Sequence, residues 1–280
     1  MADKISENTF GYYKTDKSTN LLQTITKLGI SRGVVRKLVA KKWKEKGYKT
    51  VDITSRKINY RLHIFENTTD EKILTSSKFY DKKEILSLAS AIKNTSKTDS
   101  VFVDIGANTG YYSLNLASLG YSKIIAIEPN PTTLEILIFN IKANNMTSKI
   151  KVIPMCIGDG RDVPFYCSSG LGSASVFKEC HDKTEPITVR SQPLLEILKQ
   201  EEIHSIDGMK IDIEGFEDKA LLPFFNSAPK SLWPKIIILE DCNKDLWSDD
   251  ILSKMREIGY EMQSRTRANL ILELKGVDRN

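Results

Sequence analysis

Histidine and cysteine are scarce in this chain, with three and four residues among 280. Cys156, Cys167, Cys180 and Cys242 contain no Cys-x-x-Cys pair, so the spacing of a structural zinc site is missing, and the thiols are expected to be reduced. Long apolar runs are also lacking. Stretches such as residues 236–239 are a few residues long, far short of the roughly 18 that cross a bilayer. The first fourteen residues hold no apolar core of a secretory leader, so a cytoplasmic location is expected. Glycine and proline, 15 and 9 residues, are too few for a collagen-like chain. No internal repeat or low-complexity segment is present. What remains, 40% apolar and 28% charged residues, suits a packed globular protein.

The net charge of +5 hides an asymmetry. Residues 1–97 carry 21 Lys+Arg against 10 Asp+Glu, whereas residues 98–280 carry 20 against 26. The basic part reads as an extension, 1–97, that meets an anionic surface or partner or presents a solvated face; the rest, 98–280, reads as the main domain. Within the extension a polar tail precedes two short helices over 21–47, the second basic and amphipathic. A hairpin over 49–65 and a helix over 82–93 follow.

From residue 101 apolar strands alternate with helical patterns: 101–105, 124–128, 151–155, 209–213 and 236–240. Such alternation predicts an α/β fold with a mostly parallel sheet. A late pair, 260–264 and 269–274, predicts an antiparallel hairpin at one edge. An inserted hairpin is expected over 163–190, and its Gly/Ser-rich run 168–175 reads either as a loop over a ligand or as a linker.

The first strand runs into a glycine-rich turn, Val101-Phe-Val-Asp-Ile-Gly-Ala-Asn-Thr-Gly110, and then a helix over 111–119. Backbone amides in such a turn approach a ligand closely. Asn108 and Tyr111 stand where a dinucleotide fingerprint needs glycine and a small residue, so a pyrophosphate is disfavoured. Glu128, at the tip of the second strand, is placed to accept hydrogen bonds from ribose hydroxyls. Asp159, after the third strand, reads either as an adenine contact or as a plain Gly-Asp turn.

In Met209-Lys-Ile-Asp-Ile-Glu-Gly215 alternation sends Lys210, Asp212 and Glu214 to one face. Charged groups on a buried strand call for a purpose: Lys210 neutralises one carboxylate, leaving Asp212 or Glu214 at the carboxyl end of the sheet, where ligands bind. The alternative is a structural ion pair. Glu240 closes the fifth strand as a further catalytic candidate. Asp212, Asp241 and Asn243 are oxygen donors of the kind Mg²⁺ takes, which leaves a metal open as a second cofactor.

Taken together, the runs VDIGANTGYYSLNLA, IEPNP and MKIDIEGFE resemble the FkbM-type methyltransferases, a branch of the class I S-adenosylmethionine-dependent enzymes, over residues 58–275. The resemblance implies a Rossmann-like sheet. It implies that Asp104, Gly106, Asn108 and Gly110 line the methionine end of S-adenosylmethionine, that Glu128 holds its ribose, and that Asn130 of the IEPNP run lies with it. It also implies a hydroxyl acceptor on a glycan or glycosylated small molecule. Cys242 stands where many relatives carry a histidine, so a histidine base is not expected. Two other functions fit the charge pattern: methylation of ribose hydroxyls in a nucleic acid held by the basic arm, and a non-catalytic recruitment module.

Overall fold

The computed structural model describes residues 8–14, 24, 38, 41–47, 49–64, 67–75, 79–93, 98–167, 174–175 and 185–276. Most of the expected helices over 21–47 and most of the Gly/Ser run lie outside the described residues.

A seven-stranded sheet forms the centre, its strands lying in the order Tyr260–Arg265, Asn269–Leu274, Ile236–Glu240, Gly208–Ile211, Val101–Ile105, Lys123–Ile127 and Ile150–Ile153. Its parallel part comprises β3 (Val101–Ile105), β4 (Lys123–Ile127), β5 (Ile150–Ile153), β11 (Gly208–Ile211) and β12 (Ile236–Glu240). The late hairpin, β13 (Tyr260–Arg265) and β14 (Asn269–Leu274), adds two antiparallel strands beside β12. Every residue of β3 and β12 is buried, as their near-continuous apolar runs require of strands covered on both faces. One face packs against helices including Glu217–Ser227 and Ile251–Glu257. The other packs against helices Lys82–Ser90 and Tyr111–Leu119 and the N-terminal hairpin.

That hairpin, β1 (Thr50–Ser55) with β2 (Ile58–His63), shares its apolar core with the sheet: Val51, Tyr60, Leu62, Leu88, Phe102 and Ile238 belong to one cluster. Residues on both sides of position 97 are therefore packed together. Arg61 of β2 is fully buried, ion-paired with Asp52 at 2.8 Å, and stacked on the Phe139 ring. Asn140 of helix Pro131–Ala143 and Asn144, which caps the helix C-terminus, bond the β2 backbone.

Two expectations change. An additional helix, Thr68–Thr75, follows the hairpin; Asn67 caps it by accepting from the Thr69 N–H at 2.9 Å. The fourth parallel strand stops at Ile211 instead of continuing to residue 213. The Asp212 N–H still reaches the Ile105 carbonyl, but Glu214 and Gly215 take left-handed φ values of 55° and 96°, which end any strand. Lys210 and Asp212 therefore share a side, while Glu214 is presented by a turn.

The strand order reverses between β3 and β11: β4 and β5 continue to one side of β3, β12 to the other. In open α/β sheets a crevice opens beyond the carboxyl ends of the strands at such a switch point. The main groove lies there.

Candidate active site

Residues from several strand ends line this groove of about 320 Å³: Asp104 on β3 with Gly106 and Asn108 after it, Glu128 after β4, Lys210 on β11 with Asp212 and Glu214 after it, and Glu240 at the end of β12. The size suits a small-molecule site.

The turn after β3 is shaped by the protein's own backbone. Gly106 has φ 77°, and a Cβ there would stand 1.9 Å from the Asp212 carbonyl oxygen. Glycine is thus required so that the first strand's turn can pass over the end of the fourth. Gly110, at φ 95°, starts helix Tyr111–Leu119, and Asn108 also has positive φ. The Glu128 carboxylate braces the turn by accepting from the Asn108 N–H at 2.8 Å and the Asn130 N–H at 2.9 Å. Burial pushes Glu128 up to about 7 against these bonds. Asp104 accepts from the Ser113 N–H and hydroxyl at 3.1 and 2.6 Å, and burial raises it to about 6.

Across the groove, Lys210 is buried and donates to Asp212 at 2.7 Å, with its ammonium 5.1 Å from the centre of the Tyr112 ring. Burial works to lower the lysine, but the Asp212 charge and hydrogen bond, helped by Asp104 and Glu240, hold it above its ordinary value. Asp212 keeps 38% of its side chain exposed, in the groove. Glu214 accepts from the Asn243 amide at 2.7 Å; burial, with Asp212 and Glu217 nearby, pushes it up to about 7. Glu240 is raised for the same reasons, burial first and then the charges of Asp212 and Glu214.

Several expected residues stand elsewhere. Asp159 is exposed and paired with Arg161; it lines a neighbouring depression, not this groove. Asn130 caps helix Pro131–Ala143 through the Thr132 N–H, and neither it nor Gly110 is part of the lining. The three oxygen donors considered for Mg²⁺ are not brought together for that use: Asp241 is ion-paired with Arg265 at 2.7 Å, and neither it nor Asn243 lines the groove that holds Asp212. Among the described residues no group of three or more His, Cys, Asp and Glu is arranged for a metal. Cys242 is an exposed thiol that burial of its sulfur and neighbouring carboxylates push up to about 11.

The N-terminal part supplies a wall that motif reading missed: Thr68, Thr69, Lys72, Tyr80 and Asp81 all line the groove. Asn67 donates to the Asn108 side chain at 2.7 Å, and the buried Asp70 accepts from the Thr109 hydroxyl and the His63 N–H, both at 2.8 Å. Tyr111 and Tyr112 anchor the same wall, donating to the Tyr80 carbonyl and to Asp81. The one available signal was the helix start Asn67-Thr-Thr-Asp-Glu71, whose capping residue and first-turn acids are typical of an N-terminus.

A doubly wound sheet with a glycine turn, an acid after the second strand and a Lys-Asp pair at the switch point defines a transferase-type site for a nucleoside-bearing cofactor. A family model described as the methyltransferase FkbM domain matches residues 104–262. The chain belongs to this family of S-adenosylmethionine-dependent methyltransferases. A stretch of 68 residues is 38% identical to the tRNA(Phe) (4-demethylwyosine(37)-C(7)) aminocarboxypropyltransferase of Pyrococcus horikoshii, covering 24% of this chain and 23% of that protein; the chain thus spans under a quarter of that relative's length. Among solved structures, TrmK of M. capricolum in complex with S-adenosyl-homocysteine is 15% identical with a TM-score of 0.40, over 68% of this chain and 66% of that one. The human methyltransferase 10 domain containing protein is 17% identical with a TM-score of 0.44, over 70% and 81%. Among the described residues no helix is long and apolar enough to cross a membrane.

Proposed function

We propose that the protein transfers the methyl group of S-adenosylmethionine to a hydroxyl oxygen of a glycan or glycosylated small molecule. The observation that carries this reading is the meeting of the Glu128-braced glycine turn with the Lys210–Asp212 pair in one groove. The residues present suit the cofactor. Glu128 has lone pairs left beyond its two backbone donors and would hold the ribose hydroxyls. The turn 106–108, with Asp104 beneath it, would hold the methionine end. When bound, the cofactor supplies an activated methyl group on a sulfonium.

The chain's own task is alignment, exclusion of water and removal of one proton. Asp212 takes the hydroxyl proton: its carboxylate keeps a substantial exposed surface in the groove, whereas Glu240 is buried. Lys210 fixes its position from below. Glu214, pushed up to about 7 by burial and tied to Asn243, orients the acceptor. Tyr111 and Tyr112, both buried, close the N-terminal side against water. General-base help of this type contributes about 10²–10⁴-fold.

The test combines binding with product chemistry. S-adenosylhomocysteine raises the melting temperature and NAD does not; methyl-labelled donor then marks a glycan fraction with label that survives mild alkali, as an ether does and an ester does not. No shift with S-adenosylhomocysteine, or alkali-labile label, overturns the reading. Ribose methylation in RNA draws support from the tRNA-modifying relative and the basic residues 1–97, and label entering tRNA in the same assay would establish it instead.

A further inference from the structure

Beyond the Lys210–Asp212 pair the groove continues to a polar row that the proposed proton transfer leaves unused. Glu240 and Asn269 are direct cross-strand partners in the β12–β14 register, so their side chains share one sheet face. Lys210 is paired with Ile238 and with Asp104 in the same sheet, which places Asp104, Lys210, Glu240 and Asn269 on that face. Glu240 and Asn269 are 9% and 4% exposed, and both line the groove together with Ala268. Asn269 Oδ1 and Glu240 Oε2 have no hydrogen-bond partner. The Asn269 amide nitrogen faces Glu84 Oε1 at 3.5 Å, an arrangement that leaves its oxygen for something else.

Buried polar atoms without partners are rare, because desolvation is then uncompensated. Two of them, on adjacent strands and in side chains that line the groove, match a ligand that brings hydrogen-bond donors. The charges nearby restrict that ligand further. Carboxyls at Asp81, Asp212, Glu214 and Glu240 outnumber Lys72 and Lys210 in the lining; an uncharged polyol bonds them whether they are protonated or ionised, while a phosphate gains at most the two lysines, one of them already paired with Asp212.

We propose that Asn269 and Glu240 are the acceptor-reading residues of this groove, each taking one hydroxyl of an uncharged sugar. The inference rests on the hydroxyl-methyltransferase reading and adds to it a recognition site and a charge rule. One hydroxyl donates to Asn269 Oδ1 and a second bonds the Glu240 carboxyl; the hydroxyl to be methylated is left to Asp212. Substitution at either position weakens the acceptor and spares the cofactor.

The full-length protein, saturated with S-adenosylhomocysteine, is examined by saturation-transfer NMR with methyl glucoside, methyl galactoside, methyl mannoside and methyl rhamnoside, and separately with glucose 6-phosphate and tRNA. Methyl transfer from labelled donor is measured on the same compounds. At least one uncharged glycoside is expected to bind and take label, while the phosphate ester and tRNA do not. Asn269→Leu and Glu240→Gln are each expected to raise the acceptor KM about tenfold, the loss of roughly one buried hydrogen bond, with kcat within about threefold and S-adenosylhomocysteine affinity unchanged. Glu240→Gln is isosteric and carries the test should Asn269→Leu fail to fold. Preference for the phosphate ester or tRNA, silence from every glycoside, or an unchanged KM in Glu240→Gln overturns the inference. Failure of S-adenosylhomocysteine to bind would instead remove the underlying methyltransferase reading.

Discussion

On the Glu128 side of the groove the polar groups already have partners inside the protein. Glu128 takes two backbone N–H groups, Asn108 accepts from Asn67 and from the Thr109 N–H, and Asp104 is held twice by Ser113. On the Asp212 side the opposite holds: Asp212 is half open, and Glu240 and Asn269 each leave a buried oxygen unpaired. A rim that is complete without a ligand is preorganised for something invariant, as a cofactor is. A rim with free acceptors derives its last hydrogen bonds from what it binds, which is how specificity for a hydroxylated acceptor arises. The first rim suits the cofactor that family membership implies; on the proposed reading, the second is where the substrate is chosen.

The sharpest way to break that contrast is at the joint between the rims. Gly106→Ala drives a Cβ into the Asp212 carbonyl at a left-handed φ, so the turn and the β11 end must separate. A loss of about 3–5 kcal/mol is expected from overlap and backbone strain together, read by urea denaturation along with loss of methyl transfer. A variant of wild-type stability would show that the two rims are not mechanically joined. Next in size is Asp212→Asn, which keeps the side-chain shape and removes the proton acceptor. Turnover is expected to fall about 10²–10⁴-fold, while S-adenosylhomocysteine affinity measured by calorimetry stays within a few-fold. Equal turnover would move proton removal elsewhere.

How much of this was readable beforehand follows the range of the interactions. The limits of β3, β12 and helix Tyr111–Leu119 were legible, because continuous apolar runs and a glycine turn are local signals. Glu128, Lys210 and Asp212 were legible as a set because each sits at the end of such a strand. Glu214 was assigned to the wrong geometry: apolar alternation continues through Ile213, and nothing local announces a left-handed residue. Asn269 was invisible, since its meaning comes from facing Glu240 across a register that only the folded sheet defines. The wall from residues 67–81 was missed because helix Thr68–Thr75 buries only a short apolar patch around Ile73 and Leu74, too little for periodicity. Asp159 shows the converse, a legible Gly-Asp pair that is just a turn, paired with its neighbour Arg161.

On the completed rim, Glu128→Gln retains one acceptor oxygen and turns an amide N–H toward a backbone donor. S-adenosylhomocysteine binding is expected to weaken about tenfold or more, since both the ribose contact and the brace on Asn108 suffer. Turnover at saturating donor should stay within a few-fold, which separates this rim from Asp212. An unchanged dissociation constant would mean that Glu128 serves the turn alone.

The smallest expected effect probes what completeness costs. Asp70 is wholly buried, and its bonds to Thr109 and His63 tie helix Thr68–Thr75 to the glycine turn. Burial raises it from 3.8 to about 7, so between those values the folded protein holds a proton that the unfolded chain has released. Stability from this group is therefore full at low pH, declines as pH rises from about 4 to about 7, and is flat above. Asp70→Asn is neutral throughout and lacks that decline. Asp104, Glu128 and Glu214 are raised in the same direction but contribute equally to both proteins, so the difference isolates position 70. Near pH 4 the two should melt within about two degrees of each other. At pH 8 the asparagine variant should melt a few degrees higher, because it is spared a buried carboxylate. A gap that is the same at both pH values would mean that Asp70 stays ionised in the fold, and that the N-terminal wall is held by charge instead of by a shared proton.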